Sequence, residues 1–68
     1  MRSAYIVGLS VPAEDFRSLV AGVEGVSYLR ELPSGGAVVL VESERAVRSL
    51  AGVPGVTSLR EDRPEQRM

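Results

Sequence analysis

The sequence predicts a single α+β domain with elements in the order βαββαβ, and three observations carry that prediction. The run Ala21-Gly22-Val23-Glu24-Gly25-Val26-Ser27-Tyr28-Leu29-Arg30-Glu31 returns thirty positions later as Ala51-Gly52-Val53-Pro54-Gly55-Val56-Thr57-Ser58-Leu59-Arg60-Glu61. Short β-rich apolar runs alternate with segments whose apolar residues recur at helical spacing. A turn-forming Pro33-Ser34-Gly35-Gly36 separates the halves. Internal repeats take precedence over other signals. With two copies in 68 residues, a solenoid is excluded, and the copies are expected to pair about a pseudo-twofold around one core. Each copy follows an Arg-Ser-Leu triplet, at 17–19 and at 48–50, which implies a one-residue slip between the halves.

Ala4-Tyr5-Ile6-Val7-Gly8-Leu9 is mostly apolar, rich in β-formers and bounded by Ser10 and Pro12, so it is the first strand. Pro12 suits the start of a helix and Glu14-Asp15 complement its dipole, while Phe16, Leu19, Val20 and Val23 follow helical spacing until Gly22. The first helix is therefore expected over about residues 12 to 21. Val26 to Leu32 mixes apolar and charged residues as a half-exposed strand. The turn then leads into the uncharged Ala37-Val38-Val39-Leu40-Val41. Ser43 can cap a second helix whose apolar face is Ala46, Val47 and Leu50, ended by Gly52 and Pro54 before a fourth strand at Val56 to Leu59.

In the ferredoxin-like arrangement of these elements, a four-stranded antiparallel sheet carries two helices on one face. The first and third strands are central and the second and fourth lie at the edges. The charge pattern agrees: Tyr5 to Leu9 and Ala37 to Val41 carry no charge, whereas the duplicated strands end in Arg30-Glu31 and Arg60-Glu61. Charges there also discourage edge-to-edge aggregation.

Composition narrows the function. At 68 residues and 44% apolar the chain can bury only about 60% of its unfolded surface, so modest stability, raised by a partner, is expected. There is no cysteine and no histidine, which removes disulfides, thiolate chemistry and the usual ligands of a zinc site; no metal or cofactor is expected, and catalysis is disfavoured. Eight arginines, no lysines and nine acids give a net charge of −1 spread along the chain, and the aromatics are only Tyr5, Phe16 and Tyr28. Nucleic acid is disfavoured as a partner, since its recognition calls for a basic face. No apolar run approaches the ~20 residues that cross a bilayer, so no membrane is implied. A chain starting at Met1 without a secretion signal is expected in the cytoplasm if Met1 is the natural start.

With both helices on one side, the other side of the sheet is bare. Strand alternation puts either Tyr5/Val7/Leu9 or Ile6/Gly8/Ser10 outward, with Val38/Leu40 or Val39/Val41 beside it. Ile6, Gly8 and Ser10 are the better contact candidates, because small side chains admit a partner's backbone. Gly8 equally suits a bulge in an ordinary sheet. An apolar patch on so small a domain points to an interface.

Tyr5-Ile6-Val7-Gly8-Leu9 near the start, and Ala46-Val47-Arg48-Ser49-Leu50 leading to Pro54-Gly55-Val56-Thr57-Ser58-Leu59-Arg60-Glu61-Asp62, resemble the subtilisin propeptides and their stand-alone relatives, the peptidase inhibitor I9 family. Such sequences open with a Tyr-Ile-Val-like strand and close with Pro-x-Val-x-x-aliphatic-Glu-x-Asp. The resemblance implies a domain over 1–62 that lays its open sheet face on two helices of a subtilisin-like serine protease. It further implies a tail over 63–68 that enters the substrate cleft as a product would. Asp62 matches the second acid of the motif, which caps helix N-termini of the partner; Arg60 stands where the first acid belongs, leaving Glu61 as the neighbouring acid. In the tail, Met68 would fill the first specificity pocket and Glu65 the fourth, with Gln66 and Arg67 between them. Glu65 suits a usually apolar pocket poorly. The function implied is protease inhibition, with folding assistance as a second possibility. The alternative is a small interaction or regulatory domain that self-associates or binds a non-protease partner through its sheet.

Overall fold

The computed structural model describes residues 2–62; the tail positions assigned above to a protease cleft, Glu65 to Met68, lie outside the described residues. The elements are β1 (Ser3–Leu9), α1 (Ala13–Val20), β2 (Val26–Glu31), β3 (Ala37–Val41), α2 (Glu44–Ala51) and β4 (Val56–Glu61). The sheet is antiparallel in the order β2-β3-β1-β4, so the two uncharged strands are central and the two duplicated strands form the edges. This is the ferredoxin-like α+β arrangement that the sequence predicts.

Each helix begins differently. Pro12 precedes α1, and its carbonyl accepts the N–H groups of Asp15 and Phe16 at 3.0 and 3.1 Å, with no side-chain cap. At α2 the Ser43 hydroxyl accepts the Ala46 N–H at 3.2 Å, which satisfies one of the four orphan donors of a helix start. Neither helix ends in a left-handed glycine: Ala21 and Gly52, the two C-cap residues, are both right-handed. Left-handed positions follow four residues after Ala21 and three after Gly52, at Gly25 (φ 84°) and Gly55 (φ 93°), where each copy turns into its strand.

The duplication is structural as well as sequential, and the slip shows in the helix bounds: the spans 13–20 and 44–51 and their caps are offset by thirty-one, whereas the turns that follow them are offset by thirty. Val23 N–H reaches Val20 O and Val53 N–H reaches Leu50 O, at 2.9 and 3.0 Å; Val26 N–H reaches Val23 O and Val56 N–H reaches Val53 O. Across the sheet, Glu42 N–H reaches Gly25 O and Ser10 N–H reaches Gly55 O, at 2.9 and 2.8 Å. Apart from the donors Ser10 and Glu42, these groups repeat at an interval of thirty, so Leu50 is the counterpart of Val20 and Leu19 is the counterpart of Ser49. Burial confirms it. Val20 and Leu50 are fully buried, while Leu19 is 43% exposed. Leu19 therefore does not belong to the buried stripe of α1, which runs Ala13, Phe16, Val20 at intervals of three and four.

The core lies between the helices and one face of the sheet. Phe16, Val20, Ala46, Leu50 and Val53 pack on Val7, Val26, Ala37, Val39 and Val41, with Tyr5, Leu9, Tyr28, Val56 and Leu59 at the margin. Tyr28 joins this side through Phe16, at a centroid distance of 6.4 Å, and the Arg17 guanidinium carbon lies 5.6 Å from the Tyr28 ring centre.

Candidate functional site

No polar or charged side chain is buried among the described residues, and none of their carboxylates cluster as a metal site would require. No helix there is long and apolar enough to cross a membrane. The candidate site is accordingly a surface, and the register defines it. Val7, Val39 and Val41 face the helices, so alternation turns Ile6, Gly8, Val38 and Leu40 to the opposite, helix-free side. That settles the parity in favour of the first-strand set containing Ile6 and Gly8.

Cross-strand pairing arranges this face in rows. Arg30 pairs with Val38, Val38 with Ile6, and Ile6 with Arg60, giving one row across all four strands with an arginine at each edge. On one side of it, Ser27 pairs with Leu40 and Leu40 with Ala4, while Asp62 N–H donates to Ala4 O at 2.8 Å. On the other side, Gly8 pairs with Ser58, and Leu32 N–H reaches Gly36 O at 2.8 Å. Val38, at the middle of the arginine row, is 3% exposed although it lies outside the helix-side cluster; Ile6 and Leu40 are half-buried. The apolar strip is thus narrow, with its polar neighbours close on both sides.

Two bulges give the two arginines matching positions. In β2, Tyr28 pairs with Val39 and Arg30 with Val38, so Leu29 is the extra residue; in β4, Gly8 pairs with Ser58 and Leu9 with Val56, so Thr57 is extra. The bulges fall at different points of the repeat. Tyr28 consequently faces the core while its counterpart Ser58 faces outward, and Leu29 is 49% exposed while Leu59 packs on the core. Beyond both bulges equivalence returns: Arg30 and Arg60 take the open side, and Glu31 and Glu61 the helix side, opposite Ala37 and Tyr5.

The residues singled out from sequence distribute as follows. Ile6 and Gly8 lie on the open face. Ser10 does not: it lies just past β1, where its N–H and its hydroxyl both turn to Gly55 O, because the chain is already leaving the sheet for α1. Gly8 fits the strand pair closely, since a Cβ there would meet the Ser58 hydroxyl and make it turn aside, and the β4 bulge begins at its pair. Of the two acids, Asp62 is exposed and takes the open side. Glu61 is half-buried on the helix side and lines, with Ser43, Glu44 and Val47, a groove at the start of α2. Glu61 thus stands near this chain's own helix N-terminus.

The end of the open face nearest the β2–β3 turn is a shallow groove of about 590 Å³ lined by Ile6, Gly8, Leu32, Gly36, Ser58 and Arg60 among others. Its floor is low because two adjacent glycines form it, and a Cβ at Gly36 would come within 2.5 Å of Val7 O. Sequence reasoning named the glycine but missed the arginine row. The signal was present: Arg30 and Arg60 occupy the same place in the duplication and sit on strands already assigned to the edges. No family model, no curated protein and no solved structure matches this chain.

Proposed function

We propose that this domain is a protein-binding module that docks through its helix-free sheet face, acting as an inhibitor or folding assistant of a subtilisin-like serine protease. The observation that carries the docking role is the open face itself: an apolar strip on two central strands, uncovered by either helix, with no polar side chain buried among the described residues. The resemblance of the strand motifs to the I9 inhibitors supplies the class of partner. Asp62 follows the edge strand β4, at the border of the docking face, where its N–H donates to Ala4 O. Such a role asks no catalytic group of this chain. Because a partner that binds only the folded state stabilises it by mass action, a small domain with a limited core gains from the complex as its enzyme does.

The test is a titration against a panel of subtilisin-like proteases that differ in their first and fourth pockets, using the full chain and a form lacking residues 63–68. Inhibition by the full chain that is lost on truncation, with the fold retained, supports the proposal. A folded full chain that inhibits none of the panel overturns the protease assignment. In that event the second function class, a ferredoxin-like interaction or regulatory domain, takes its place. One observation favours that alternative: Arg60, at the position of the motif's first acid, projects onto the docking face.

A further inference from the structure

We infer that the open face is built to receive a single partner helix with an apolar stripe and carboxylates on both flanks, gripped between Arg30 and Arg60. This inference rests on the docking-face half of the proposed function alone, and puts a single helix of stated chemistry where the resemblance implies two protease helices. The Arg-Glu pair that ends each copy of the repeat sorts charge by face, sending both cations to the open side and both anions to the helix side. Among the described residues neither guanidinium has a carboxylate partner; alternation past Ala4 and Leu40 adds Arg2, Glu42 and Asp62 at the far end of this side, so three cations stand against two anions. The face is therefore cationic on a chain whose net charge is −1. Charge complementarity favours an acidic occupant.

The dimensions fit one helix. Arg30 and Arg60 are three inter-strand steps apart, or ~14 Å at ~4.8 Å per step, and a helix with its side chains is ~10–12 Å across. Laid along β1 and β3, such a helix rests its stripe on the half-buried Ile6 and Leu40, above the sealed Val38, with a guanidinium at each flank. Rows on one sheet face recur every ~6.7 Å along the strands and helix turns every ~5.4 Å, so two adjacent turns meet two adjacent rows within ~1.3 Å. The glycine-floored groove at Gly8 and Gly36 then accepts one bulky apolar side chain from the next turn. Two arginines on an otherwise acidic domain are too few for a nucleic-acid footprint.

The test uses two synthetic amphipathic helical peptides of identical length and leucine stripe, one with Glu and one with Lys on both flanks, titrated into the isotopically labelled full chain by NMR. The Glu peptide is expected to shift the amides of Ile6, Val38 and Leu40 and to bind at least ten-fold tighter than the Lys peptide, with the preference shrinking in high salt. A double variant, Arg30→Glu with Arg60→Glu, should reverse the preference; both positions are exposed on edge strands, and its spectrum verifies the fold. Equal affinity of the two peptides at the face overturns the charge selection and leaves docking standing. Absence of shifts on the face with either peptide overturns both. Arginine-dependent binding to phosphatidylserine vesicles, with neither peptide bound, overturns the helix occupant in favour of a lipid surface.

Discussion

Leu19 and Leu50 end identical Arg-Ser-Leu triplets, yet only Leu50 is sealed in the core, so truncating each to alanine should have very different costs. Leu50 packs among Phe16, Val39 and Val41 with no exposed surface, and removing its isobutyl group from such a site costs about 2–5 kcal/mol, part transfer and part cavity. Leu19 retains 43% of its exposure, so the same truncation forfeits only part of a burial worth about 1.5–3 kcal/mol, and alanine's helix propensity offsets some of it. We expect about 1 kcal/mol or less. At ~0.05–0.15 kcal/mol per residue a chain of this size has about 3–10 kcal/mol to lose, so Leu50→Ala approaches the limit of folding. Urea unfolding followed by circular dichroism reads the difference: with a slope near ~1 kcal/mol per molar, Leu50→Ala lowers the midpoint by about 2 M or more and Leu19→Ala by about 1 M or less. Comparable losses for the two variants would refute the thirty-residue correspondence and the core built on it.

Ser43→Ala removes the cap of α2 and should cost about 1 kcal/mol, seen as a fall of ~4–8 °C in the thermal midpoint, whereas Ser43→Asp should preserve it. Gly55→Ala forces a Cβ to within 2.7 Å of a Val11 methyl at a left-handed φ and should destabilise by more than ~1 kcal/mol in the same melt, while Gly22→Ala, which meets nothing within 4 Å, should be neutral or slightly stabilising. Asp62→Ala should weaken an inhibited complex by about 1 kcal/mol in an inhibition titration if the carboxylate caps a partner helix, and leave the inhibition constant unchanged if it is only a solvated strand end.

The order of elements and the central placement of β1 and β3 were legible because charge is absent from Tyr5–Leu9 and Ala37–Val41 and concentrated at the ends of the duplicated strands. Ser43 was legible for an equally local reason, a hydroxyl three residues before the amide it accepts. What depends on counting across strands was not legible. The bulges at Leu29 and Thr57 reset the alternation at different points of an otherwise matching repeat, so Tyr28 and Ser58 end on opposite faces although the copies align. The fourth strand runs on to Glu61 rather than stopping at Leu59, because pairing with β1 continues as far as Tyr5. Ser10 left the face for a similar reason: its backbone partner is Gly55, at the corner where the two halves interlock. Composition alone assigns Arg30 and Arg60 to solvated strand ends, and only the register through Val38 and Ile6 brings them into one row.

The central claim, that the helix-free side of the sheet is the docking surface, is tested most directly by amide hydrogen exchange of the full chain with and without a protease it inhibits. Slowed exchange in the central strands and at the edge around Arg60, with the solvent side of α1 and α2 unchanged, is the predicted result. Protection confined to the helices, with β1 and β3 exchanging as in the free domain, would contradict it.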